Sequence, residues 1–169
     1  LDSRTLFFAS NTLWKTTTGG QTWTQISPDL TRATWDVPAS VGAYRDRPNS
    51  RPSQRGVIYT IGPSYVDINT IWVGSDDGLI HVTRDAGQTW TDVTPPALSA
   101  WEKVSLIEAS HFDVNTAYAA INTLRLDDLR PQMYRTRDAG KTWVPIVAGL
   151  PDGATINAVR EDPVRRGLL

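Results

Sequence analysis

Paired carboxylic acids are the chemistry to look for first, because a glycoside hydrolase needs two of them, roughly 5–5.5 Å apart for retention or about 6.5–9.5 Å for inversion. Asp76, Asp77, Glu108, Asp127 and Asp128 are the candidates, but spacing certifies no pair, so no residue is read as catalytic; Asp77 and Glu108 are the two to test. Asp76 and Asp77 belong to "GSDDG", a tight hairpin in which neighbouring side chains diverge and turn formation itself accounts for both acids. Asp127 and Asp128 lie between Arg125 and Arg130, which suits an ion-pair network. Glu108 falls on an inner strand and is expected to face a central channel.

His81 and His111 are the only histidines, and neither has a second histidine at a ligand offset, so packing or solvation is expected of them and no metal. The acidic turn is shorter than a calcium loop. No phosphate-binding glycine loop occurs, so no cofactor is expected. Zero cysteines exclude a thiol nucleophile, disulfides and thiolate metal sites. For ligand recognition the best candidates are Trp35, Tyr44, Arg45 and Arg47, where two aromatic rings and two guanidiniums crowd into one Arg-, Pro- and Ser-rich stretch. Trp14 and Trp72 sit on strands and are expected in the core; Trp101 and Tyr65 complete the possible stacking surfaces.

Seventeen basic against 18 acidic residues in a chain of 169 leave a net charge of −1, which gives no electrostatic footprint for nucleic acid. No apolar run approaches the roughly 18 residues of a membrane-spanning helix. Of the basic residues only Lys15, Lys103 and Lys141 are not arginine, a bias toward fixed, hydrogen-bonded ion pairs. The chain begins at Leu1 with no basic-then-apolar leader, and its repeat phase suggests a piece cut from a longer protein.

Repeats carry the positions of all these residues. "TRDAGQTW" (83–90) and "TRDAGKTW" (136–143) differ at one position, and "TTTGGQTW" (16–23) is a weaker copy with Thr18 in place of Asp85 and Asp138. Before each octamer stands Asp-x-(Asn/Arg)-Thr-apolar-aromatic: "DSRTLF" (2–7), "DINTIW" (67–72) and "DVNTAY" (113–118). Between them the pattern alternates with period two, and no stretch sustains a helical period, so the chain is expected to be all-β. Each unit reads as four antiparallel strands, the signature of a propeller blade. The expected organisation is strands two to four of a first blade at 1–29, a long inter-blade loop at 30–55, a second blade at 56–95, a third at 96–148 and the inner strand of a following blade at 149–169. Three blades do not close a ring, so the expected partners are the remaining blades of a longer chain or a second copy in a strand-exchanged homodimer.

The octamer is built to hold its own shape. Asp85 and Asp138 are placed to accept backbone N–H groups across the turn, and Gly87, Gly140 and Gly20 to take left-handed backbone. Thr89 and Thr142 are expected to start the outgoing strand, and Trp90 and Trp143, with Trp23 as the weaker copy, to clamp adjacent blades. The form Ser/Thr-x-Asp-x-Gly-x-Thr-Trp resembles the Asp box, or BNR repeat, of sialidases, sortilin-type receptors, xyloglucan-degrading hydrolases and a photosystem-assembly factor. More narrowly, "GSDDGLIHVTRDAGQTWTDVTPP", "LDDLRPQMYRTRDAGKTW" and "VREDPVRRGLL" resemble bacterial sortilin-like BNR proteins often labelled glycosyl hydrolase. The resemblance implies a partial Asp-box β-propeller, an extracellular or periplasmic location, and Asp boxes that are structural rather than catalytic. The function it implies is a scaffold binding peptide or glycan; the alternative is part of a glycoside hydrolase, sialidase-like or xyloglucanase-like, with a carboxylate acid/base pair.

Overall fold

A computed structural model describes residues 3–33 and 56–169. The strands are β1 (Leu6–Ala9), β2 (Leu13–Thr16), β3 (Thr24–Gln25), β4 (Ile58–Pro63), β5 (Ile71–Ser75), β6 (Ile80–Thr83), β7 (Thr91–Asp92), β8 (Lys103–Ala109), β9 (Ala117–Asn122), β10 (Gln132–Thr136) and β11 (Val144–Pro145). They form three antiparallel meanders: β1-β2-β3, β4-β5-β6-β7 and β8-β9-β10-β11. The only helical element among the described residues is a single 3-10 turn, Leu124–Leu126, inside the long β9–β10 connection.

The sheets stack face to face because alternate residues on each strand are apolar on both sides. Between the first and second sheets lie Leu13, Leu30, Ile58, Ile71 and Val73. Between the second and third lie Trp72, Ile80, Val82, Val104, Ile107, Ala117 and Ala119. Small residues on β9 let the sheets close: Ala117 and Ala119 are both fully buried. The register slips at equivalent places on both inner strands, between Ile58 and Thr60 and between Val104 and Leu106, so Tyr59 and Ser105 are bulge residues.

The octamers join one sheet to the next. In the second sheet Asp85 accepts the Thr89 N–H (2.9 Å) and the hydroxyls of Thr89 (2.6 Å) and Thr83 (2.8 Å). Asp138 repeats the set with Thr142 and Thr136. In the weak copy the Thr18 hydroxyl accepts the Thr22 N–H at 3.0 Å. Thr89 and Thr142 thus close the turn rather than start the strand, which begins at Thr91 and at Val144. The residue before each glycine is left-handed too, Ala86 and Ala139 at φ near +60°. Their N–H groups donate to the carbonyls of Asn69 and Asn115, tying each octamer to the Asp-x-Asn-Thr turn of its own sheet.

From that turn the tryptophan reaches backwards. The Trp90 indole N–H donates to the Ile26 carbonyl (2.8 Å) and Trp143 to the Val93 carbonyl (2.7 Å), each on the preceding sheet. The two indoles are half-buried, and Trp143 meets Trp72 edge-to-face at 6.2 Å. Gly87 and Gly140 are needed there for space as well as for backbone: a Cβ would lie 2.5 Å from the Ile26 oxygen or from the Val93 Cβ. Trp23 meets no preceding sheet among the described residues and is 41% exposed.

The inner strand expected within 149–169 is not among the strands. Residues 154–161 lie on the third sheet, with Ile156 and Val159 against Tyr118 and Ala120, and form no ladder among the described residues.

Two expected outcomes follow from the octamers. Gly140→Ala loses both the left-handed freedom and the gap against Val93, whereas Gly20→Ala, at φ +91° with only Trp23 near, loses the first alone. Chemical denaturation should give a cost for Gly140→Ala at least about 1 kcal/mol larger than for Gly20→Ala. Thr89, through its hydroxyl and then its N–H, with Thr83, holds the Asp85 carboxyl at about 2 against an ordinary value of 3.8. A depressed folded-state value contributes stability above the ordinary value and loses it as pH falls through the depressed one. Asp85→Asn should therefore flatten the acid limb of stability against pH between about pH 4 and about pH 2.

Candidate functional site

Antiparallel connectivity sorts the loops to two ends. One end carries the octamers and the β4–β5 and β8–β9 turns. The other carries the β5–β6 hairpin with Asp76 and Asp77, the β7–β8 connection with Trp101, the long β9–β10 loop with Arg125 and Arg130, and both stems of segment 34–55. This hairpin end gathers most of the sequence candidates, which makes it the candidate site.

Asp77 is its hub. It is buried, its carboxylate accepts the Ser75 hydroxyl (2.5 Å) and the Arg32 N–H (2.8 Å), and its carbonyl accepts Arg32 Nε and the Trp101 N–H, each at 2.8 Å. On the other stem, Gly56 packs so closely that a Cβ would stand 2.0 Å from Asp77 Oδ2. Asp76 continues the clamp: Oδ1 accepts the Val57 N–H (2.7 Å) and Oδ2 faces Arg125 Nη1 (3.3 Å). Both ends of segment 34–55 are thus pinned at one turn. Trp35, Tyr44, Arg45 and Arg47 lie outside the described residues.

Beside this clamp the Arg125 guanidinium sits 5.2 Å from the Trp101 ring and Nε donates to the Trp101 carbonyl (3.3 Å); Nη2 is buried with no hydrogen-bond partner among the described residues. Trp101 itself is held at φ +70°, a strained setting for an aromatic residue. The bulge turns Tyr59 outward, 54% exposed, with the Lys103 ammonium 4.4 Å over its ring. Asp128 accepts two prongs of Arg130, at 2.7 and 3.0 Å, and is drawn down to about 2 by that guanidinium. Asp127 serves as the left-handed residue ending the 3-10 turn.

Glu108 is elsewhere. It lies at the octamer end of β8, 3% exposed, paired with Arg160 and with His111 Nε2 (3.4 Å), and so does not open into a channel as expected. Asp77 and Glu108 occupy opposite ends of the stack and form no pair. Tyr65 stacks on His111 at 3.7 Å, its phenol raised by burial and by the Glu108 charge. Nearby, burial pushes Glu161 up, but hydrogen bonds from Ser110, His111, Gly167 and Tyr118 outweigh it and hold the carboxyl below its ordinary range. Ser110, Asp113, Tyr118, Glu161, Arg137 and Arg166 line a polar cavity of about 380 Å³ there. Sequence reasoning missed this cluster, although a signal existed: Tyr65, His111 and Arg160 each precede the Asp of their turn (Asp67, Asp113, Asp162) by two residues.

His81, mid-strand on β6, has burial as the main cause of its lowered pKa, which keeps it neutral, a packing residue. Among the described residues no group of three His, Asp or Glu side chains is placed to hold a metal, and no helix is long and apolar enough to cross a membrane. If Asp77 clamps both stems, Gly56→Ala and Asp77→Asn should each cost about 1–3 kcal/mol in urea denaturation. The double variant should cost less than their sum, because both break one contact.

No protein-family profile matches the chain, and neither does any curated protein. Solved structures do. A YCF48 structure bound to D1 peptide superposes with a TM-score of 0.52 at 23% identity, over 85% of this chain and 37% of that one. An ancestral GH74 enzyme superposes at 0.58 and 15% identity, over 86% of this chain and 17% of that one. The chain therefore spans well under half the length of either. With three antiparallel sheets of three or four strands stacked face to face, the described chain is a partial β-propeller.

Proposed function

We propose that this chain is the Asp-box, BNR-repeat portion of a sortilin-like propeller, acting outside the cell or in the periplasm as a scaffold that binds a peptide or a glycan at its hairpin end. The observation that carries the reading is the engagement of the acids. Asp76 and Asp77 are bonded by the stems of segment 34–55 and by Arg125, and Asp128 is forked by Arg130. Glu108 is ion-paired at the far end. General acid–base work needs a carboxyl free to exchange its proton with substrate. What this end offers a ligand instead is the exposed Tyr59 ring with the Lys103 ammonium over it, and a clamped segment bearing Trp35, Tyr44, Arg45 and Arg47. Such surfaces stack on sugar rings and on peptide side chains. The peptide held by the similar YCF48 supports the peptide arm, and the fold shared with a GH74 enzyme supports the alternative of a glycoside hydrolase.

Peptide and glycan arrays, followed by calorimetry on the best ligand, separate the two. Binding should fall at least about tenfold in Trp35→Ala and Tyr44→Ala, with the unfolding midpoint unchanged. Turnover of aryl glycosides or xyloglucan that disappears in Glu108→Gln or Asp77→Asn would overturn the scaffold and establish the hydrolase.

A further inference from the structure

We propose that the ligand of this chain is an acidic glycan, read at the inner-strand edge of the hairpin end by the Tyr59 ring and the Lys103 ammonium. This narrows the scaffold reading, on which it rests, to a uronic-acid polysaccharide: the sugar carboxylate meets Lys103 while a sugar face stacks on Tyr59.

The site lies where two edge strands run side by side. β4 and β8 each begin a four-stranded sheet, with one side that pairs with no strand among the described residues. They approach closely: the Ile107 N–H donates to the Thr60 hydroxyl at 3.1 Å, and a Cβ on Gly62 would stand 2.8 Å from the Ile107 carbonyl oxygen. Tyr59 and Lys103 sit at the starts of these strands, toward the hairpin end. Both strands carry a bulge at the equivalent place, and each uses it differently. Ser105 turns its hydroxyl back onto the Ala120 carbonyl of its own sheet at 3.0 Å. Tyr59 turns outward, 54% exposed, as a bulge allows a strand to re-aim one side chain.

The cation there is held without a counter-charge. Lys103 places its ammonium 4.4 Å over the Tyr59 ring, and no carboxylate pairs with it among the described residues. The neighbouring acids are committed elsewhere: Asp76 to Val57 and Arg125, Asp77 to Ser75 and Arg32, Glu102 to the Ser99 N–H. An ammonium seated on an aromatic face keeps its charge and its N–H donors, which suits a carboxylate brought by a ligand. Asn122, opposite Lys103 in the β8–β9 register, donates to the side-chain oxygen of the exposed Asn157 at 2.5 Å. That bond fixes the Asn157 amide and leaves its nitrogen as a further donor.

Ring, cation and amide answer the three features of a carboxylated sugar, its apolar face, its charge and its hydroxyls. The same bulges disfavour a peptide. An extended peptide binds a sheet edge by adding a strand, and a bulge interrupts the row of backbone groups it must pair with.

Calorimetry of the whole chain with oligogalacturonate, oligoglucuronate and oligomannuronate, each beside its methyl ester, tests this. At least one acid should bind about threefold to tenfold more tightly than its ester, a preference that shrinks with added salt. Lys103→Met, which keeps the stem, should abolish the preference and leave ester binding unchanged, while Lys103→Arg should retain it. Tyr59→Ser should weaken acid and ester alike, with the unfolding midpoint unchanged. Binding to none of the three acids overturns the inference; so does equal affinity for acid and ester, or a preference that survives Lys103→Met. In each of those cases a peptide or neutral glycan lost in Trp35→Ala and Tyr44→Ala leaves the scaffold reading standing, whereas a chain that binds nothing on the arrays ends both.

Discussion

The indole that crosses from one sheet to the carbonyl of the sheet before it is the constraint on which the rest of this structure depends. It acts at a position where nothing else permits close approach, because the glycine beside it leaves the gap that the preceding sheet occupies. A face-to-face stack held only by aliphatic contacts tolerates sliding, since hydrophobic burial is non-directional. One directional bond per interface, braced by an octamer that is itself hydrogen-bonded to its own sheet through Ala86 or Ala139, removes that freedom. Each sheet is thus aligned to its neighbour at the periphery, and the inner strands and the loops of the opposite end inherit the alignment.

That division explains why acidic residues are plentiful and yet engaged. Short turns leave backbone N–H groups that need acceptors, and an aspartate two to four residues away is the cheapest source of them. Asp67, Asp85, Asp113, Asp138 and Asp162 all have lowered carboxyl values, with hydrogen bonds from nearby hydroxyls or N–H groups as the main cause. Asp77 performs the same service over a longer range, linking two distant stretches of chain through Arg32 and Trp101. In those five turns the carboxylate resists protonation, the opposite of what a general acid requires.

Local patterns made the fold legible in the sequence: the alternation in "TIWVGSDDGLIHVT", the paired octamers and the Asp-x-Asn-Thr turns correspond to strands and turns where they stand. Long-range polar chemistry was not legible. Nothing in the order of residues says that Arg160 meets Glu108 or that Tyr65 stacks on His111, because those contacts join successive units across an interface. The repeat register does hint at them, since equivalent positions of neighbouring units must lie side by side in a stack. Glu108 shows the same limit from the other side. Its place on an inner strand suggested an open channel, but a buried acid needs partners, and His111 and Arg160 supply them from two different turns.

The two ends of the stack differ in what they can change without loss. At the octamer end Gly140 and Trp143 are coupled to Val93 of the neighbouring sheet, and Ala139 to Asn115 of their own. A substitution there misaligns two sheets at once. At the hairpin end the scaffold needs only the Asp76–Asp77 turn, which clamps both stems of segment 34–55 whatever lies between them. Loop closure costs grow only slowly with length, so a clamp of this kind supports long or short segments at nearly the same stability. The segment between the stems can therefore be varied at that end while the sheets beneath keep their alignment.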